Sequence, residues 1–234
     1  MGMYRWNPEM IYFMNQASKD TEYYKELAEH IAKYLTKDSV VCDVGCGVGG
    51  LAIELSRFCR KVYAVDISKD IIDSVKERLE EERIMNVEAI CTDVFGWKPE
   101  EKVDAAVYCM FGTVEEINRI GKHLEVSQQF IVRRLVREHQ FKIKEGKQHR
   151  NSAPEMMEEL RESDYQFEYE EMTLSLNQPF KNFDEAVRFF ELYNRTKEKI
   201  TEEEIEARLI RQENEEYPYL LPSKKRMGII QYFM

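Results

Sequence analysis

Short apolar runs alternate with amphipathic segments between residues 36 and 135 of the chain. Each run has the length of one buried strand, and the runs lie at residues 39–44, 61–67, 87–93, 103–110 and 129–135. The segments between them repeat apolar residues at three- and four-residue spacing, which predicts helices at residues 50–60, 68–83 and 113–124. Short apolar strands that alternate with helices predict a parallel sheet covered on both faces.

The two ends of the chain follow a different pattern. Helical spacing predicts a helix at residues 20–35, after an aromatic-rich segment with little periodicity. Beyond residue 135 the pattern predicts a helix that begins after Ser152, and strands at residues 165–176 and 226–234. Two further helices, at residues 183–195 and 202–216, are predicted between those two strands.

Two consecutive helices are more than a sheet connection needs, so residues 177–222 are interpreted as an inserted helical cap. Residues 1–35 are a second candidate lid element, and residues 36–135 form the central part of the predicted sheet. No internal repeat and no Pro/Gly/Ser-rich linker marks a boundary. We therefore predict a single domain that spans residues 1–234.

The segment VVCDVGCGVGG at residues 40–50 places four glycines directly after the first predicted strand. A Walker P-loop needs a lysine after its glycines to reach the terminal phosphates, and none follows here. The spacing Gly45-x-Gly47-x-x-Gly50 matches the dinucleotide-binding pattern, and Asp66 ends the next strand. A loop for S-adenosylmethionine is the third interpretation.

Asp43, two residues before the first glycine, distinguishes these interpretations. A dinucleotide brings a pyrophosphate to this turn, and a carboxylate there would repel it. S-adenosylmethionine instead brings an ammonium and a sulfonium, which a carboxylate attracts. Gly45 and Gly47 let the backbone approach that ligand where any Cβ would clash. The residues favour S-adenosylmethionine, with a nicotinamide-dependent oxidoreductase as the alternative.

VCDVGCGVGGLAIELSR (residues 41–57) resembles motif I of the class I S-adenosylmethionine-dependent methyltransferases. VYAVDIS (62–68), ICTDVF (90–95) and VDAAVYCMFG (103–112) resemble the next three motifs in the family's order. The resemblance covers residues 36–135. It implies an α/β, doubly wound, seven-stranded and mostly parallel sheet whose final strand is antiparallel, with helices on both faces.

The resemblance also implies a cofactor, S-adenosyl-L-methionine, with S-adenosyl-L-homocysteine as its product. The methionine end would lie on Asp43, Gly45, Cys46 and Gly47. Asp66 would bind the ribose hydroxyls, with Ile67 against the adenine. Asp93 would accept from the adenine amino group beside Val94, and Cys109 would lie next to the transferable methyl.

The methyl acceptor would meet Cys109-Met110-Phe111-Gly112 at the end of the fourth predicted strand. Family members that methylate flat amino groups carry an Asn/Asp-Pro-Pro-aromatic tetrad at this position. The departure disfavours an adenine or glutamine amino group as acceptor. The expected reaction is an SN2 transfer to a nucleophilic N, O or S atom, for which a general base is optional.

The candidate catalytic groups are His139, Tyr108 and Cys109. The candidate substrate-pocket residues are Tyr4, Trp6, Tyr12, Met110, Phe111 and Arg133. Each residue also has a structural interpretation: the N-terminal aromatic side chains as a packed helix face, Met110 and Phe111 as core, and His139 as a solvated loop residue.

The formal net charge of −10 disfavours nucleic acid as a partner, because a negative field repels phosphate backbones. Residues 133–150 are strongly basic against this trend, and suit either a docking surface or a solvated loop. We expect a small-molecule substrate. The alternatives are a protein or RNA methyltransferase, for which the basic stretch would be the docking surface, and a non-catalytic S-adenosylmethionine-binding regulatory protein.

Five cysteines without C-x-x-C spacing and four scattered histidines predict reduced thiols and no metal site. The chain contains no apolar run of about 18 residues and no signal-peptide pattern at its start, so a cytoplasmic protein that does not enter a membrane is expected. The sequence does not predict an oligomeric state.

Overall fold

The computed structural model describes residues 6–135, 151–163, 165–194 and 199–233. Its strands are β1 (Val40–Val44), β2 (Lys61–Asp66), β3 (Val87–Cys91), β4 (Ala105–Cys109), β5 (Gln128–Arg134), β6 (Phe167–Ser175), β7 (Gln178–Phe180), β8 (Ile210–Arg211), β9 (Tyr219–Leu221) and β10 (Lys224–Phe233). Its α-helices are α1 (Pro8–Asp20), α2 (Tyr23–Ala32), α3 (Gly50–Leu55), α4 (Lys69–Glu81), α5 (Val114–Leu124), α6 (Ala153–Glu162), α7 (Phe183–Tyr193) and α8 (Glu202–Glu206).

The main sheet has seven strands in the order β3-β2-β1-β4-β5-β10-β6. Strands β1 to β5 pair in parallel, whereas β10 runs antiparallel to both β5 and β6. The predicted fold class is therefore confirmed, including the antiparallel final strand. The strand order reverses between β1 and β4, and ligands of open α/β sheets bind at the carboxyl ends of the strands at such a point.

Helices cover both faces of this sheet. On one face α1 to α4 bury apolar side chains against β1, β2, β4, β5 and β10. On the other face α5 and α6 pack against the alternate residues of the same strands. The separation follows the two-residue period of a strand: Val107 joins the first cluster and Tyr108 the second.

Several helix starts follow their predicted capping residues. Thr113 and Glu116 form a capping box at α5, and Ser152 precedes α6. Ser68 occupies the N-cap position of α4, but its side chain makes no capping hydrogen bond. The Asp66 carboxylate accepts from the Ser68 amide instead, at 2.9 Å.

The C-terminal cap differs from its prediction in one helix. The second predicted helix, at residues 202–216, ends at Glu206 and continues into β8. Asn214 accepts from the amides of Glu216 and Tyr217, which forms a turn, and Pro218 has no amide to donate to a helix. The chain then returns as β9, and β7, β9 and β8 form a small antiparallel sheet that the helical pattern did not predict.

The N-terminal helix α1 packs against this cap. The pattern had predicted only one helix, at residues 20–35, but Asn7 caps a separate helix that begins at Pro8. Phe13 of α1 lies in an aromatic cluster with Phe180 and Phe189. No helix in the described part of the chain has both the length and the apolar character that a membrane span requires.

Candidate active site

The glycine loop lies at the carboxyl end of β1, beside the point where the strand order reverses. The amides of Gly45 and Cys46 donate to the Val65 carbonyl, at 2.8 and 3.1 Å, and hold the loop against β2. Gly45 and Gly47 have φ angles of 69° and 51°, which side chains other than glycine rarely adopt. A Cβ at Gly45 would overlap the ring of Phe111, so glycine is also required for space.

Asp43 lies beneath this loop and is almost completely buried. Neither carboxylate oxygen makes a hydrogen bond of normal geometry among the described residues. Desolvation, and then the charge of Asp66, raise the pKa of Asp43 from 3.8 to about 7, while the Ala52 amide opposes the rise. A buried carboxylate without a partner is stabilised either by a proton or by a cation close to it.

Asp66, at the end of β2, connects the glycine loop to the start of α4. One carboxylate oxygen accepts from the Gly47 amide at 3.2 Å, and the other accepts from the Ser68 amide at 2.9 Å. A carboxylate has about four acceptor positions, so Asp66 keeps capacity for further donors. The neighbouring Ile67 is 51% exposed, which places an apolar side chain at the rim.

Asp93 and Val94 follow β3, and their side chains lie in different surroundings. Asp93 accepts from the Phe95 amide at 3.0 Å and caps a single 3₁₀ turn, Val94–Gly96. Val94 is buried in the core below the turn, so little of its side chain is open to an adenine ring, and the predicted contact stays a prediction. Phe95 is the exposed apolar residue of this turn, and the Arg119 guanidinium lies 5.0 Å from its ring centroid. Phe95 was not among the residues predicted from the sequence, although it follows Asp93 and Val94 directly.

The segment after β4 brings Phe111 to the glycine loop and leaves the preceding Met110 exposed. Met110 has a φ of 57°, an unfavourable conformation for a residue with a side chain, and is 50% exposed. Its amide donates to the Val132 carbonyl at 3.0 Å. The Phe111 ring packs on Gly45 and is only partly covered. Both predicted pocket residues are therefore accessible, and Phe111 adjoins the loop.

Arg133 has a different position from the one predicted for it. Its guanidinium is buried and donates to the carbonyls of Tyr108, Val132, Phe111 and Gly112. Burial lowers the pKa of Arg133 to about 10. Arg133 thus holds the backbone of the segment after β4 in place. We interpret it as a positioning residue.

Tyr108 also lies away from the site. Its side chain is buried on the opposite face of the sheet, where the hydroxyl donates to the Gln129 side chain at 2.9 Å. Because residues alternate between faces along β4, the structure does not bring the Tyr108 side chain to the glycine loop. Cys109 does share the face of Asp43, and burial followed by the Asp43 charge raises the pKa of its thiol to about 12. The Cys109 thiol therefore stays protonated at neutral pH.

Of the N-terminal aromatic residues, one lies at the glycine loop and another lies away from it. Trp6 lies against the glycine loop, since a Cβ at Gly47 would come 3.5 Å from its ring. Tyr12 instead donates its hydroxyl to Glu185 of α7 at 2.8 Å, so it belongs to the interface between α1 and the cap. Tyr4, His139 and most of the basic stretch lie outside the described residues.

A sequence profile of the family described as "Methyltransferase domain" matches residues 41–125, which include β1 to α5 and the glycine loop. Residues 41–125 are thus a methyltransferase domain of the class I S-adenosylmethionine-dependent type. Its cofactor is S-adenosylmethionine, and the alternative of a nicotinamide-dependent oxidoreductase is wrong.

Known proteins resemble this methyltransferase to different extents. A protein of Methanococcus vannielii, named a probable cobalt-precorrin-6B C(15)-methyltransferase (decarboxylating), is 27% identical over 138 residues, which are 53% of this chain and 75% of that protein. A SAM-dependent methyltransferase from Aquifex aeolicus superposes with a TM-score of 0.57 at 16% identity, covering 98% of this chain and all of the other. Magnesium protoporphyrin IX methyltransferase from Synechocystis, with bound SAH, gives 0.52 at 13% identity, covering 99% of this chain and 89% of the other. The two structural matches show a shared fold.

Proposed function

We propose that this methyltransferase acts on a small molecule and that it binds its cofactor along the carboxyl ends of β1, β2 and β3. The observation that carries the cofactor assignment is the buried, unpartnered carboxylate of Asp43 beneath the glycine loop. When bound, S-adenosylmethionine supplies a methyl group on a sulfonium, from which a nucleophile displaces it. The protein's task is to place the two reactants in line and to exclude water.

The described residues fit this cofactor in both charge and shape. Asp43 and Asp66 give the loop a negative character that suits the ammonium and sulfonium groups. Gly45, Cys46 and Gly47 are half-buried and would lie at the methionine end, and Asp66 has acceptor capacity for the ribose hydroxyls. Asp93 would accept from the adenine amino group.

The apolar surface for the adenine ring comes from two exposed side chains. Ile67 follows β2 and Phe95 follows β3, and these strands are neighbours in the sheet. We assign Phe95 to the role that the sequence had given to Val94.

Apolar residues form the acceptor side of the site. Phe111 and Trp6 adjoin the glycine loop and Met110 is the exposed neighbour of Phe111, and together they would exclude water from the transferable methyl. Cys109 holds its proton at neutral pH and Tyr108 lies in the core, so neither would act as a general base. We infer that the acceptor attacks in its reactive protonation state. An N, O or S atom suits this best, whereas the Methanococcus vannielii relative acts, by its name, on a carbon.

The cap supports a small substrate. Residues 1–234 would form one domain in which α1 and the cap are joined by the Phe13 cluster and by the Tyr12–Glu185 hydrogen bond. Together they would cover the acceptor side and leave room for a small molecule. A protein or RNA substrate would need this side open.

A labelled methyl group tests the acceptor class. The purified protein is incubated with S-adenosylmethionine labelled in the methyl group and with a cell extract separated into small-molecule, protein and RNA fractions. We expect label in the small-molecule fraction, and none there when the glycine loop carries Gly45→Ala. Label in protein or RNA would support a macromolecular methyltransferase. Binding of the cofactor without transfer to any fraction would support a regulatory protein.

A further inference from the structure

Two basic segments that are far apart in the sequence meet at the carboxyl end of β5. Arg134 is the last residue of β5, and in the register of the sheet it pairs with Met227 of β10. Lys225 lies two residues before Met227, so it is the diagonal neighbour of Arg134 on the same face of the sheet. Burial and the charge of Arg134 lower the pKa of Lys225 to about 7, as expected for two cations that lie side by side. The structure therefore concentrates positive charge at this end of the sheet.

This positive end lies on the face of the sheet that carries Asp43 and Cys109. Cys109 pairs with Val132 in the register between β4 and β5, and both side chains belong to the core on that face. Arg134 follows Val132 by two residues, so its side chain leaves the same face beyond Cys109. Burial raises the pKa of the Cys109 thiol, and the charge of Arg134 opposes that rise. Because Arg134 is only half-buried, part of its side chain remains accessible on the acceptor side.

A tyrosine of α2 adds a hydrogen-bond donor near the same place. Tyr23 packs in the core on this face, and its ring centroid lies 5.0 Å from that of Tyr24, whose ring in turn lies on Gly50. The Tyr23 hydroxyl makes no hydrogen bond within the described ranges, and the atom is not fully enclosed. Burial raises the pKa of Tyr23 above its ordinary value, while the charge of the nearby Arg134 opposes the rise. The hydroxyl therefore keeps its proton at neutral pH and can donate.

The charges of the site are thus separated along the sheet. Asp43 gives the methionine end a carboxylate that suits the sulfonium and ammonium groups, whereas Arg134 and Lys225 make the far end positive. An acceptor with its nucleophile towards the methyl group and an anion at its other end would be oriented by both charges. A guanidinium binds a carboxylate or a phosphate through paired hydrogen bonds, to which a phenol hydroxyl can add another.

We propose that the methyl acceptor carries an anionic group, a carboxylate or a phosphate, which accepts hydrogen bonds from Arg134 and from the Tyr23 hydroxyl at the carboxyl end of β5. Lys225 is buried, so it adds positive charge and no direct contact. The anionic group is distinct from the methylated atom, which lies nearer the glycine loop. This assignment rests on the proposed small-molecule function and names the substrate class within it.

A cell extract separated by charge tests the proposal. Its small-molecule fraction is divided by ion exchange into anionic, neutral and cationic pools, and each pool is incubated with the full chain and with S-adenosylmethionine labelled in the methyl group. We expect label in the anionic pool. Phosphatase treatment of that pool before incubation distinguishes the two anions, because it removes phosphate esters and leaves carboxylates.

The other outcomes separate this assignment from the proposed function. Label only in the neutral or cationic pool would overturn the anionic acceptor and leave small-molecule methylation in place. Label only in the protein or RNA fraction, or in no fraction, would overturn the proposed function and the anionic acceptor with it.

Variants locate the anion within the site. With the anionic pool as substrate, Arg134→Met should raise the pool concentration that gives half the maximal rate by roughly 10-fold or more, the usual effect of losing a charge-assisted hydrogen bond. Arg134→Lys keeps the charge and should raise it less. Tyr23→Phe removes only the hydroxyl and should raise it by roughly three- to tenfold. If Arg134→Met does not fold, Tyr23→Phe decides.

Two matched controls remove the same groups elsewhere. Arg226 is exposed and alternates with Lys225 to the other face of β10, and the Tyr34 hydroxyl donates to Glu170 at 3.3 Å. Arg226→Met and Tyr34→Phe should leave the concentration for half the maximal rate within about twofold. Calorimetry should show that every variant binds S-adenosylhomocysteine as the wild type does. Equal effects of each variant and its control would overturn the assignment of the anion to the end of β5.

Discussion

At the scale of single residues, the protonation of Asp43 connects the glycine loop to the cofactor. The pKa of Asp43 is about 7 in the native chain, against an ordinary value of 3.8. Between these two pH values the native chain therefore keeps a proton that the unfolded chain has released. The native state binds more protons over this interval, so Asp43 lowers the stability of the protein as pH rises from about 4 to about 7. A cation near the carboxylate reverses this preference.

The first prediction follows from the raised pKa of Asp43 in the native chain. Because the positive cofactor favours ionised Asp43, its binding near pH 6 should release up to one proton, and its affinity should rise from pH 5 to 7. Calorimetry in two buffers of different ionisation enthalpy measures the release. Asp43→Asn should abolish it, and a release that persists in that variant would assign the proton to another group.

Met110 gives a second prediction, in which stability and activity move in opposite directions. Glycine tolerates the φ of 57° at this position, so Met110→Gly should stabilise the protein by roughly 0.5–1 kcal/mol. The same change removes an apolar side chain from the acceptor side, and methyl transfer should slow. Thermal unfolding and the transfer rate measure the two effects. A variant that is less stable would show that the Met110 side chain contributes more through packing than its backbone costs.

At the scale of helices and strands, much of the architecture could be predicted from the chain, because hydrophobic period decides it. The alternation of apolar runs and amphipathic segments located β1 to β5 and the helices between them. The prediction of one long helix at residues 202–216 was wrong, because the helix ends at Glu206 and Asn214 and Pro218 belong to a turn. Local turn chemistry there prevailed over periodicity.

The candidate site could be predicted only in part. The glycines and acids lie at strand ends, whose positions follow from the pattern. The place of Arg133 depends on which carbonyls β5 brings near its guanidinium, and strand register is not visible in the sequence. Alternation along β4 predicts that Tyr108 and Cys109 face opposite sides of the sheet, but not which of them faces the glycine loop.

The turn after β3 carries the third prediction. Phe95 is exposed and Val94 is buried, so one should affect the cofactor and the other the fold. Phe95→Ala should weaken S-adenosylmethionine binding by roughly tenfold with little change in stability. Val94→Ala should cost about 1–2 kcal/mol of stability and leave affinity nearly unchanged. Titration with S-adenosylmethionine and thermal unfolding of both variants measure the two effects. A loss of affinity in Val94→Ala but not in Phe95→Ala would assign the adenine contact to Val94.

At the scale of the whole molecule, the N-terminal helix and the C-terminal cap meet across the chain. Phe13 packs edge-to-face on Phe180 and Phe189, with centroids 6.1 and 5.1 Å apart. Tyr217 donates to Gln16 at 2.9 Å and adds a second link. This interface is distinct from the two clusters that flank the main sheet.

The fourth prediction tests whether the interface between α1 and the cap unfolds separately from the main sheet. Phe13→Ala should destabilise the interface by roughly 3–5 kcal/mol, and the cap should then open before the sheet unfolds. Hydrogen exchange should show loss of protection in α7 but not in β1. Phe233→Ala, at an exposed position at the end of β10, serves as the control. Equal loss of protection in α7 and β1 would mean that the cap and sheet unfold as one unit.

The Asp43 carboxylate is proposed to hold the positive end of S-adenosylmethionine, and a calorimetric titration at pH 8 distinguishes this contact from a general effect of charge. Asp43→Asn keeps the shape of the side chain, and Asp70→Asn, at an exposed position on α4, gives the same change in net charge. We predict that Asp43→Asn weakens binding by roughly 10-fold or more while Asp70→Asn leaves it within about twofold. Equal affinities for the wild type and Asp43→Asn would contradict the account.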